Sequence, residues 1–199
     1  MENETERRAK EHRVLEAAKA VFLRHGFRRV TMQDIAQEAQ ISRPALYLIF
    51  PSKEEIFTTL IRRIAKENLA FIRGDLWAHS TIEAKLELAF EVWTVEPFRL
   101  MQRSPDAKDL VECSQSFAKE VMNQSYAEFD DLLAEILKPL ITKPIPSPGN
   151  PDGLDALQIA RILTGAAKGF KETATSVFDL QRMIAGLITL TLAAVRTAK

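Results

Sequence analysis

The 199-residue chain is 46% apolar and 27% charged, so it has the material for a packed core and is not a globally disordered polymer. Its 27 Lys/Arg balance 27 Asp/Glu, yet residues 1–65 carry a net +3 and the remainder a net −3, a sign that suits an N-terminal part meeting a polyanion. One cysteine, Cys113, excludes an intrachain disulfide framework and a CxxC metal knuckle, and points to a reducing compartment.

Helical periodicity dominates from the start. Val14, Ala17, Ala18, Val21 and Phe22 share one helix face, and Gly26 suits its C-terminal cap. Thr31 with Asp34 three residues on reads as a cap for a second helix whose inner face is Ile35, Ala36 and Ala39. Ser42 caps a third helix, Pro44 sits in its first turn, Leu46 and Phe50 face inward, and Pro51 ends it. Ser52 and Glu55 form a capping box for a helix carrying Phe57, Leu60, Ile61, Ile64, Phe71 and Ile72, with Gly74 near its end. Further helices are expected near 81–96, 98–112 (broken by Pro105), 115–141, 154–175 and 180–197. The segment 143–153, KPIPSPGNPDG, reads as a loop, and nothing reads as a strand.

The expected fold is all-α: an N-terminal three-helix DNA-binding domain over 1–53 and a helical bundle over 54–199, connected by the helix at about 53–76. A short helix, a turn at Ala39-Gln40-Ile41 and a second short helix make a helix-turn-helix, whose second helix enters the DNA major groove. The N-terminus of the helix capped by Ser42 is a positive end suited to phosphate. Arg43 can fork onto guanine, and Pro44 and Ala45 can touch thymine methyls. Tyr47 can reach a backbone phosphate, and Lys53 adds a charged phosphate contact. Thr31 and Gln33 complete the expected DNA-facing set. Each has a plain alternative: a solvated Arg43, a Tyr47 that is core with its hydroxyl at the rim, a Lys53 that only solubilises its helix.

The stretch VLEAAKAVFLRHGFRRVTMQDIAQEAQISRPALYLIFPSKEEIF resembles the N-terminal domain of the TetR/AcrR family of transcriptional regulators. The matching residues are Ala17-Ala18, Phe22, Gly26-Phe27, Thr31, Ile35-Ala36, Ala39, Ile41-Ser42, Leu46-Tyr47, Phe50 and Ser52-Lys53. The resemblance implies an all-α homodimer with a DNA-binding domain on each subunit. It also implies a C-terminal ligand-binding and dimerisation domain, and repression at an inverted-repeat operator that a small apolar or amphipathic ligand relieves. Four positions depart from the family: Gln40 stands where glycine is usual, Ile49 where His or Tyr often meets phosphate, Leu48 is less polar than usual, and Met32 stands near a position that often offers a hydroxyl to phosphate.

Candidate ligand contacts are Trp93, Met101, Cys113, Phe117, Tyr126 and Phe170, aromatic or soft groups of the kind that line small-molecule pockets. The last helix is apolar nearly all round, MIAGLITLTLAAV, and must be buried on every side. Gly165 and Gly169, with Leu187, Leu190, Thr191 and Ala194, are the expected dimer contacts. An activator, or a helix-turn-helix regulator whose C-terminal part only dimerises or binds a protein partner, remains a rival reading. An enzyme is not expected. The chain has no paired Glu-x-x-His, no GxxxxGK[ST], no GxGxxG and no GxSxG, and His12, His25 and His79 are dispersed. No cofactor or metal is expected. The charged N-terminus has no apolar signal region, and the longest uncharged run, Met183 to Val195, is short of the roughly 20 residues that span a bilayer. A cytoplasmic protein with no membrane partner is the expectation.

Overall fold

The computed structural model describes residues 4–103, 108–147 and 150–197. The elements in order are α1 (Glu4–His25), α2 (Met32–Glu38), α3 (Arg43–Ile49), α4 (Lys53–Asp75), α5 (Ile82–Phe90), α6 (Glu96–Gln102), α7 (Lys108–Ser116), α8 (Lys119–Leu137), β1 (Ile145–Ser147), β2 (Asn150–Leu154), α9 (Ala156–Thr173) and α10 (Val177–Thr197). The chain is all-α apart from one hairpin.

Two compact units form. The first takes 1–65 and 100–124, the second 66–99 and 125–199, so α4 and α8 each contribute residues to both. The expected partition at residue 53 therefore differs from the one observed, because α7 joins the N-terminal helices. The first core gathers Val14, Phe22, Ile35, Leu46, Ile56 and Phe57, and adds Leu110, Cys113 and Ala118. Phe27 meets Phe57 edge-on at 5.3 Å and Phe117 at 4.9 Å, contacts that each add about 0.5–1.5 kcal/mol beyond their buried area. Asp109 ties α7 to the turn after α1: its two oxygens accept from the backbone N–H groups of Phe27 (2.9 Å) and Arg28 (2.7 Å).

Local chemistry explains the helix ends. Gly26 has φ +74° and its N–H donates to the Phe22 carbonyl at 2.8 Å, closing α1 in the left-handed cap that glycine adopts without a Cβ penalty. Ser52 accepts from the Glu55 N–H at 3.1 Å and starts α4. Within α4, Ile72 is fully buried while Phe71 is exposed, so the two ends of that apolar pair serve different surroundings.

The second core centres on Phe90, Phe129, Leu132, Leu133, Leu163 and Ile184. Here α5 does not stop before Pro97. It opens into a wider π-helical turn, Glu91–Val95, in which the Glu96 N–H bonds to the Glu91 carbonyl, and continues as α6. A proline has no N–H for the carbonyl four residues back and crowds it, here the carbonyl of Trp93, and the wide turn relieves that crowding. The break expected at Pro105 lies outside the described residues.

The expected loop at 143–153 is corrected in part to a hairpin. β1 and β2 pair antiparallel with Ile145 opposite Leu154 and Ser147 opposite Asn150. Gly153, at φ +73°, lets the strands close, since a Cβ there would stand 2.8 Å from the Pro144 Cβ. Trp77, in the 3₁₀ turn Leu76–Ala78 after α4, is 90% exposed. On α10, Leu180, Ile184, Ile188, Leu192 and Val195 form a buried stripe, while the opposite side, including Gly186 and Leu190, is exposed. By length and apolar content α10 could cross a bilayer, but a core helix meets the same test.

Candidate nucleic-acid interface

Thr31 begins the reading unit. Its hydroxyl accepts from the Asp34 N–H at 3.2 Å and donates to the Asp34 carboxylate at 2.7 Å, while its own backbone N–H reaches the same oxygen at 2.8 Å. These bonds, the hydroxyl's first, hold the Asp34 carboxyl below the usual carboxylate range. The turn follows at Gln40, whose φ of +55° makes it the one non-glycine residue in the left-handed region among those described. The Ile41 N–H donates to the Ala36 carbonyl at 3.0 Å and closes the turn.

Ser42 caps α3 by accepting from the Ala45 N–H at 3.3 Å. Leu46 is fully buried and Phe50 nearly so, which fixes the helix to the first core and turns its other side outward. Ile49, half-buried, packs against that core. The exposed side carries two rows at i, i+4 spacing. One is polar: Arg43 donates to the Tyr47 hydroxyl at 3.4 Å, and its guanidinium lies 5.5 Å from the Tyr47 ring centre. The other is apolar: Pro44 and Leu48, with Leu48 88% exposed. Leu48 was outside the expected set. Its signal in the sequence is an apolar residue at a solvent-facing position of a helix already anchored by Leu46 and Phe50.

The remaining expected residues divide. Gln33, Ser42, Arg43 and Pro44 are exposed, Ala45 is half-buried, and the exposed Thr31 spends its hydroxyl on Asp34. Lys53 also makes contacts within the chain. Its ammonium donates to the carbonyls of Phe27 at 2.7 Å and Val30 at 2.6 Å, and lies 4.2 Å from the Phe27 ring centre. These bonds hold the α1–α2 turn against the start of α4, and the side chain is half-buried. Arg28 is likewise engaged, pairing with Glu112 at 2.8 Å.

The six candidate ligand residues fall in two different units. Met101, Cys113 and Phe117 belong to the first, where Phe117 packs on Phe27 and Phe57. Burial, then the Asp109 carboxylate, push the Cys113 thiol up, so it stays protonated and packs as an apolar group. Trp93, Tyr126 and Phe170 belong to the second unit. Trp93 stacks on Phe129 at 4.6 Å and meets Tyr126 edge-on at 6.0 Å. Of the expected dimer residues, Gly165, Gly169, Leu190 and Ala194 are exposed and Leu187 and Thr191 half-buried. A Cβ placed on Gly165 or Gly169 would meet nothing within 4 Å, so close packing within the subunit does not require either glycine. Among the described residues no cluster of His, Cys, Asp or Glu could hold a metal ion.

The profile of the family described as "Bacterial regulatory proteins, tetR family" matches residues 14–60, the span that holds this reading unit. The HTH-type transcriptional regulator YfiR of Bacillus subtilis is 46% identical over 56 residues, which is 28% of this chain and 27% of that relative. Solved structures extend the likeness of fold across nearly the whole chain. A TetR-family transcriptional regulator from Mesorhizobium loti superposes with a TM-score of 0.69 at 18% identity, covering 96% of this chain and 98% of the other. A transcriptional regulator from Saccharomonospora viridis, solved in complex with choline, gives a TM-score of 0.69 at 21% identity over 90% of this chain and 95% of that one.

Proposed function

We propose that the chain is a member of the TetR family of bacterial transcriptional regulators, which its match over residues 14–60 supports, and that it works as a homodimeric repressor of an inverted-repeat operator, released by a small effector. The observation that carries the reading is α3: seven residues pinned by Leu46 and Phe50 that leave Arg43, Pro44, Tyr47 and Leu48 facing out. Such a helix presents its first turns to base edges in the major groove, and two copies related by a dyad read two half-sites. Arg43 supplies the fork for guanine O6 and N7, and the Pro44–Leu48 row supplies apolar contact for thymine methyls.

The exposed side of α9 and α10 supports the dimer. Gly165, Gly169 and Gly186 leave room for another helix to approach, and Leu190 is 73% exposed beside them. Two copies of that face, brought together by a two-fold axis, bury it. The effector would act in the second unit. α4, which belongs to both units, is the covalent route by which occupancy there changes the separation of the reading helices. A coupling of about 1–3 kcal/mol is typical of such systems. The similar protein bound to choline supports a small-ligand site in this fold. On this reading the protein works in the cytoplasm, beside the chromosome.

Selection of bound sequences from a random DNA pool near physiological salt tests the proposal. Enrichment of one inverted repeat, bound by two subunits in sedimentation, is the expected result. Enrichment of a single unrepeated site, or binding that falls with salt and shows no sequence preference, would overturn it.

A further inference from the structure

Two ammonium groups converge on one phenol in the second unit. Lys168 Nζ stands 3.4 Å from the centre of the Tyr126 ring. Lys171 Nζ donates to the Tyr126 oxygen at 3.2 Å and lies 5.9 Å from the same ring centre. Both lysines come from α9, three residues apart, where like charges oppose one another. Neither forms an ion pair among the described residues. The phenol oxygen accepts from Lys171, which leaves the hydroxyl proton free to be donated elsewhere. At the phenol itself the polar groups are therefore donors, and two ammonium groups meet there, with the Asp130 carboxylate one turn further along α8.

Two polar atoms one turn away on the same two helices also lack a partner. Thr164 lies one turn before Lys168 on the same stripe of α9, is 4% exposed, and its hydroxyl has no partner. Asp130, one turn after Tyr126 on α8, has one buried carboxylate oxygen without a partner. Buried polar atoms of this kind are rare, and each needs a hydrogen bond from something. The wall beside Tyr126 is aromatic. Trp93 meets Tyr126 edge-on, and it is carried by the wide turn that Pro97 opens in the α5–α6 run. Turns of this type recur at functional sites.

The geometry points to this cluster as the effector site and to a small aromatic carboxylic acid as its ligand class. The carboxylate sits between Lys168, Lys171 and the Tyr126 hydroxyl, and the flat body lies against Trp93. This rests on the reading of the protein as an effector-controlled regulator and names the effector's chemistry. A quaternary ammonium such as choline would have to displace Lys168 from the face of Tyr126 that it occupies. A hydroxyl or amine on the acid's body would meet Asp130.

The test is thermal unfolding and calorimetric titration of the full chain with 2-naphthoate and indole-3-acetate. Their neutral amides, inorganic phosphate and choline are run beside them. The acids should raise the melting temperature and the amides should not. K168M and K171M should each weaken acid binding about tenfold or more, and K168R should recover most of it. Circular dichroism of the unliganded variants checks that they fold, and T164V, which changes no charge, is a second probe with a smaller expected loss. The proposal is overturned if neither acid binds, if amides or choline bind as well as the acids, if phosphate alone accounts for the effect, or if both lysine variants bind unchanged. DNA affinity of the wild-type protein with and without bound acid is a separate readout. Acid that binds without loosening DNA upholds the site and counts against ligand release.

Discussion

Replacing Lys53 by methionine separates two roles that a lysine at the start of a helix can play. Methionine keeps most of the stem and removes the charge. In this structure the ammonium makes two short bonds, to the carbonyls of Phe27 and Val30, and lies over the Phe27 ring. A hydrogen bond to a charged group contributes about 1.5–3 kcal/mol. The site is half-buried, so water recovers part of that once the ammonium is gone, and a net loss of about 2–3 kcal/mol is expected. For a chain of this length that lowers the melting temperature by roughly 4–12 °C. K53R should not restore it, because a planar guanidinium cannot take the place of a compact ammonium between two carbonyls. The assays are urea unfolding and operator binding across a salt series. If Lys53 instead neutralised a phosphate, K53M would leave stability unchanged and flatten the salt slope by about one unit. That pair of results would refute the internal role.

Arg43→Ala should cost about 1–3 kcal/mol on the preferred operator and relax preference at one guanine per half-site, read by binding to single-substitution operators. Equal loss on every sequence would show that Arg43 contacts only the backbone. Gln40→Gly removes a left-handed non-glycine residue at the turn, a strain of roughly 1–2 kcal/mol, against about 0.5–1 kcal/mol of extra freedom in the unfolded chain. A small net gain in urea midpoint follows, with operator affinity unchanged. Asp34→Ala should cost about 0.5–1 kcal/mol near neutral pH, the scale of a lost cap. The folded carboxyl lies below its unfolded value, so its contribution is present above about pH 4 and is lost as pH falls through the folded value. Wild type and variant should converge in acid, as read by urea midpoints over a pH series.

What could be read from the residues alone was what depends on near neighbours. The caps at Thr31 and Ser42, the stop at Pro51 and the buried faces of α1 to α3 follow from spacing within a turn or two, and the structure has them in place. The reading helix was legible for the same reason. The internal contacts of Lys53 were not, because its partners lie 23 and 26 residues away and only the folded turn brings their carbonyls together. The allocation of 100–124 to the first unit has the same origin, in the bonds from Phe27 and Arg28 to Asp109 across more than 80 residues. The hairpin at 145–154 hid behind prolines and glycines that also describe an irregular loop. The helices expected near 81–96 and 98–112 are joined instead by one wide turn ahead of Pro97.

The placement of the two tryptophans equips the protein with an internal optical probe. Trp77 is almost wholly in water, whereas Trp93 is half-buried and stacked on Phe129. Their emission therefore separates into a red component open to dissolved quenchers and a shielded, bluer one. With Trp77 changed to phenylalanine, the remaining tryptophan emission reports on the surroundings of Trp93, between Phe129 and Tyr126. Events in the second unit can then be followed in real time without any attached dye.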